Sequence, residues 1–141
     1  VNPGPVRRAD YAAAEHPEDA PPWTYFYDQR RLAFQRGIAY VELGRHRDAV
    51  PLLNAALGAL DGGYDRDRAR YAAVLALALA GAGDADAAVA HAKLGAELAA
   101  QTGSALAARE LRRVRTVLRK AGADAALSEL TEHLRNITAT S

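Results

Sequence analysis

The chain has 141 residues, no cysteine and a formal net charge of +1, and alanine fills 34 of its positions. Without cysteine, a disulfide-built module and a Cys-ligated zinc or iron–sulfur site are excluded. The length suits one domain with a real core, 25% charged and 50% apolar residues are not the balance of a disordered chain, and so much alanine points to an all-α protein with closely packed helices.

Five of the six prolines lie between Pro3 and Pro22. Residues 1–22 therefore read as an irregular leading segment, with a short helix over Val6–Glu15 closed at His16-Pro17. From residue 23 onward the pattern is helix, short break, helix. A first helix is predicted from Thr24, as its cap, to Leu43, with Gly44 ending it in the left-handed conformation. A second runs from His46 to Leu60, with Pro51 in the early turns that tolerate a missing N–H. Asp61-Gly62-Gly63 then breaks the chain. A third helix starts at Asp65, a good N-cap, and stops before Gly83. Asp84 caps a fourth, which runs to Thr102. Ser104 caps a fifth over Ala105–Ala121, and a sixth follows Gly122 from Asp124 to Asn136. No window alternates as a β-strand does. The connections of two to five residues make the neighbours antiparallel hairpins, at about 24–60, 65–102 and 104–136 within a helical domain spanning 23–141.

The longest apolar run, Tyr71 to Gly83, has thirteen residues, and a membrane span needs about 20. The N-terminus lacks the apolar core of a signal peptide, so a cytoplasmic location is expected. Methionine is absent. Either an initiator was removed before Val1 or the chain is a piece of a longer protein. Arginine outnumbers lysine sixteen to two, a bias that resembles the coding habit of a GC-rich bacterial genome.

Regular helices call for a search for repeats. Gly44, Gly83 and Gly122 are spaced by 39 residues, and Arg31, Arg70 and Arg109 fall at the same spacing. So do Tyr40, Leu79 and Leu118 before the glycines, and Ala49, Ala88 and Leu127 after them. The repeated unit is a helix–turn–helix hairpin in three copies. The first copy, Leu32 to Leu57, resembles a tetratricopeptide repeat: a small residue in the first helix (Gly37), an aromatic one turn on (Tyr40), glycine at the turn (Gly44), then Ala49, Leu53 and Ala56. Small residues let two helices approach, and bulky ones fill the gaps between hairpins. The second copy keeps Ala76, Leu79, Gly83 and Ala88, with Ala92 where a bulky residue is usual. In the third, Arg115 stands where the small residue belongs, and Leu127 and Leu134 replace alanines. The resemblance implies a short right-handed α-solenoid.

A narrower resemblance rests on Ala20-Pro-Pro-Trp-Thr-Tyr-Phe-Tyr-Asp28, Leu43-Gly-Arg45, Tyr64-Asp-Arg-Asp-Arg-Ala-Arg-Tyr71 and Ser104-Ala-Leu-Ala-Ala-Arg-Glu-Leu-Arg-Arg113. These blocks are similar to the C-terminal part of actinobacterial helix-turn-helix transcriptional regulators, in which tetratricopeptide-like repeats follow a small DNA-binding domain. The resemblance implies a non-enzymatic protein- or peptide-interaction module. It would be the sensor or dimerisation half of such a regulator, with the DNA-binding half outside this chain. A stand-alone scaffold with no link to DNA is the alternative.

No catalytic or cofactor motif accompanies these blocks. His16, His46, His91 and His133 show no metal-ligand spacing, and there is no nucleophile elbow, phosphate loop or dinucleotide fingerprint. No enzyme activity, cofactor or metal is expected. Charge is more informative. Residues 104–121 carry six basic side chains against Glu110 alone. Arg109, Arg112, Arg113 and Lys120 share one face of the fifth helix, opposite a stripe of Leu111, Val114, Leu118 and Ala121. If the first helices line a concave surface, it carries Arg31, Phe34, Gln35 and Ile38, then Arg70, Ala73 and Val74, then Arg109, Arg112, Arg113 and Thr116. Two readings stand. One is an anion-reading groove for an acidic protein or peptide, with Phe34 and Ile38 as an apolar wall. The other is a solvated arginine face paired with Asp65, Asp67 or Glu110. Direct nucleic-acid binding is not expected, because the net charge is near zero and aromatics do not interleave with the arginines. Trp23, Tyr25, Phe26 and Tyr27 form the one aromatic cluster, either a cap over the first hairpin or a contact with another domain or a second copy in a homodimer.

Overall fold

Three turns in the chain repeat one hydrogen-bond pattern. Gly44, Gly83 and Gly122 hold φ angles of 77°, 91° and 72°. Each glycine amide donates to the carbonyl three residues back, on Val41, Ala80 and Arg119, at 3.0, 3.1 and 3.1 Å. The next amide donates five residues back, to Tyr40, Leu79 and Leu118, at 2.8, 2.9 and 3.0 Å. This is the Schellman arrangement, which only a residue at ease in the left-handed region completes cheaply.

The computed structural model describes residues 22–60 and 62–140, with side chains for 29–60 and 62–139. Among these residues the chain is all-α. Helix α1 spans Pro22–Glu42, α2 His46–Gly58, α3 Asp65–Gly81, α4 Ala85–Thr102, α5 Ala105–Lys120 and α6 Asp124–Thr140, with a short 3-10 turn at Gly62–Tyr64. The odd-numbered helices end at 42, 81 and 120, and their partners begin at 46, 85 and 124. The 39-residue spacing is thus a property of the backbone as well as of the letters. The expected helix over Val6–Glu15 lies outside the described residues.

Local signals account for most boundaries. The Asp84 carboxylate accepts from the Ala87 amide, and the Ser104 hydroxyl from the Ala107 amide, both at 3.2 Å. Two expected caps are corrected. Asp65 is the first residue of α3, not its cap, and its carboxylate pairs with Arg68 at 3.2 Å; Tyr64 precedes the helix without a side-chain cap bond. Thr24 lies inside α1, which starts at Pro22, where a ring that fixes φ and lacks an N–H is well tolerated. Pro51 is the sixth residue of α2, one turn deeper than the free amides, so its ring removes the bond to the Arg47 carbonyl. Helix α6 runs four residues past the expected end at Asn136.

Helix α3 is the axis of the packing. All ten residues from Tyr71 to Ala80 are buried. A helix that is apolar all round needs neighbours all round, and α2, α4 and α5 all pack on it, with a smaller contact from α1. The three hairpins are not equally tight. The α3–α4 contact is the most extensive, α1–α2 is next, and α5–α6 is the thinnest. One register position explains the order. A Cβ on Gly37 would meet the Leu53 side chain, so α2 rests directly on the α1 backbone. In the second hairpin Ala76 and Ala92 take those two places, both with no exposed surface. In α4, Gly95 lies so close to α3 that a Cβ there would be 3.2 Å from the Ala73 nitrogen and 3.3 Å from the Ala69 oxygen. In the third hairpin the pair is Arg115 and Thr131, and the helices part. Helices α5 and α6 instead pack mainly on α3 and α4. A Lys93–Glu129 ion pair joins α4 to α6, and the His133 Nε2 lies 3.2 Å from the Glu97 carboxylate.

Candidate functional site

Helix α5 is the most sharply two-sided helix. Ala107, Leu111, Val114 and Leu118 are buried against α3 and α4, and Arg109, Arg112 and Arg113 occupy the opposite side. Ala121, expected in the apolar stripe, is exposed at the helix end. Arg109, Arg112 and Arg113 are exposed and, with Thr116 and Val117, line a shallow depression of about 290 Å³. Arg113 donates to Glu110 at 2.9 Å and to Glu42, at the end of α1, at 3.3 Å. It thereby joins the first and third hairpins across the side of α3. Thr116 donates back to the Arg112 carbonyl at 3.2 Å, a bond within the helix. The guanidinium groups of Arg109 and Arg112 enter no ion pair among the described residues.

The other expected groove residues are placed differently. Phe34 is a correction: it is 1% exposed and offers no apolar wall. Its ring stacks on Tyr71 at 3.8 Å with planes 12° apart, which fastens α1 to α3. Ala73 and Val74 are buried too, because α3 is enclosed and does not face an open groove. Ile38 is half-buried and packs on the core, and Gln35 and Arg31 are half-buried on α1. The Arg70 guanidinium lies 5.3 Å from the centre of the Phe34 ring. Arg31, Arg70 and Arg109 share a register but not an environment. Among the described residues, the buried Phe34, Ala73 and Val74 offer no surface to a groove across α1, α3 and α5. A patch on α5 remains, with Arg109 and Arg112 available and Arg113 already paired. The side chains of Trp23, Tyr25, Phe26 and Tyr27 lie outside the described residues, although the backbone there belongs to α1.

Three contacts had no sequence reading. Arg30 donates to the Ala59 carbonyl at 2.9 Å and lies over the Tyr64 ring, so it closes the first hairpin at its open end. Arg66 donates to the Thr102 carbonyl at 2.6 Å and does the same for the second. The His46 imidazole lies beside Gly81, where a Cβ would collide with it. The first two join residues 29 and 36 positions apart, beyond the reach of local pattern. Gly81 is the last residue of α3, and the sequence pattern gives it no role beyond the helix end.

The described residues thus form an all-helical chain of three glycine-turn hairpins around an enclosed central helix, with one arginine-rich outer face. No family model, curated protein or solved structure matches the chain. No helix among the described residues is long and apolar enough to cross a membrane, and none of their His, Asp or Glu side chains gather in threes suited to a metal.

Proposed function

We propose that this chain is a non-enzymatic interaction module of tetratricopeptide-like, right-handed solenoid kind that binds an acidic protein or peptide in the cytoplasm through α5. The observation that carries the reading is the pair of exposed guanidinium groups on Arg109 and Arg112, one turn apart beside a depression and in no ion pair among the described residues. Arginine forks suit carboxylates, and a fixed helix presents them without a large ordering cost. The 39-residue recurrence of turns and helix ends supports the repeat assignment. The corrected geometry narrows the binding surface from a groove across three helices to one helix face. The similarity of the four sequence blocks to actinobacterial regulators makes sensing or dimerisation within a transcriptional regulator the fitting context.

Titration of the chain with a fluorescent Asp/Glu-rich peptide tests the binding. Saturable binding that weakens with added salt is expected, and Arg109→Ala with Arg112→Ala should reduce affinity about ten-fold. Affinity unchanged by the double substitution would remove the proposal. Light scattering across a range of concentrations tests dimerisation, and a monomer throughout would remove that role.

A further inference from the structure

The third hairpin departs from the other two along one seam. Where the two helices of a hairpin meet, the first two hairpins carry Gly37 and Ala76, Val41 and Ala80, Val50 and Val89, Leu53 and Ala92, all buried except the half-buried Val50. At the same register positions the third carries Arg115, Arg119, Ser128 and Thr131. A cleft of about 360 Å³ opens between α5 and α6 there, lined by these four side chains together with Asp124, Leu127 and the Glu132–Arg135 pair. It is separate from the depression beside Arg109 and Arg112.

A polar outer surface on a hairpin needs only solvated charge. Arg115 is not fully solvated: its Nε is shielded from water and makes no hydrogen bond. Arg30 and Arg70 share that feature, but their guanidinium groups lie over the rings of Tyr64 and Phe34. Arg115 has no such ring and no ion pair among the described residues. A shielded donor left unmet is unfavourable, and a guanidinium fork answers best to an oxyanion. Arg119 is likewise unpaired, while Arg135 lies 3.5 Å from Glu132. Three guanidinium groups against the two carboxylates Asp124 and Glu132 leave the cleft one positive charge in excess.

We propose that the α5–α6 seam is an oxyanion-binding site, in which Arg115 and Arg119 hold a phosphate or carboxylate group and the Ser128 and Thr131 hydroxyls donate to it. The polar substitutions that part the third hairpin thereby make room for a small anionic ligand. The test is NMR titration of the full chain with inorganic phosphate and, separately, with acetate, in chloride buffer. Saturable shifts of the Arg115 Nε–H signal and of the Ser128 and Thr131 amides are expected. Tighter phosphate binding assigns a phosphoryl ligand, and tighter acetate binding a carboxylate. Arg119→Ala, at an exposed site, and Arg115→Lys should each weaken binding about ten-fold or more, while Arg109→Ala leaves it unchanged. No saturable shift with either anion, or equal weakening by Arg109→Ala, overturns the proposal. Because Arg109 belongs to the peptide-binding patch, failure of one site is distinguishable from failure of the other.

Discussion

Glycine and alanine act at two kinds of position here, and substitution separates them. Gly95 lies where α4 nearly touches the α3 backbone, and that backbone has no flexible end to move aside. Gly95→Val should destabilise the fold by about 1–3 kcal/mol through overpacking. Gly58 closes α2 with open space around it, so Gly58→Ala should be neutral or stabilise by up to about 1 kcal/mol. Urea unfolding of the two variants checks both signs, and equal effects would show that helix approach is not limiting. At this scale the small residues were legible, because their spacing shows which positions must be small. Phe34 was not. Its place on a helix wheel said that it shared a face with Arg31 and Ile38, but nothing local said that Tyr71, 37 residues later, would stack on that face.

Helix ends are the most legible part of the molecule, because their chemistry is local. Gly44, Gly83 and Gly122 stop helices, and Asp84 and Ser104 start them, all with partners within five residues. Among the described residues Ser104 is the one buried polar residue, so its cap bond has little water to replace it. Ser104→Ala should cost about 1–2 kcal/mol, and Ser104→Asp should recover part of that. Thermal unfolding of the two variants measures it, and a Ser104→Ala protein as stable as the parent would show that the cap contributes nothing. Asp65 shows the limit of such rules: a good capping residue one position inside the helix forms an ion pair with Arg68 instead. How tightly each pair closes was only half legible. Arg115 stood out at a close-contact position, but that α5 and α6 would lean on α3 and α4 instead depended on long-range packing.

At the scale of the whole molecule, α3 decides the architecture. It holds eleven residues of the apolar run from Tyr71 to Gly83, and that run is shorter than the about 20 residues a membrane span needs. The same run also signals a helix enclosed on every side, and all ten residues from Tyr71 to Ala80 are buried. Amide hydrogens of Val74 to Ala80 should therefore exchange slowest, near the rate of global unfolding, and those of α6 faster. Leu75→Ala should cost about 2–5 kcal/mol and lower protection in all three hairpins together. Exchange measured by mass spectrometry tests this, and loss of protection confined to the second hairpin would indicate independent units. Enclosure also has a meaning in time. Helix α3 is complete at Gly81, but α5, which covers one of its sides, ends 39 residues later at Lys120. At about 5–20 residues per second, synthesis leaves that side of α3 uncovered for about 2–8 seconds. During that interval only the first hairpin and the growing α4 shield it. The nascent chain is thus most exposed to aggregation between completion of α3 and completion of α5, when the segment that will be best protected in the finished fold is still its stickiest.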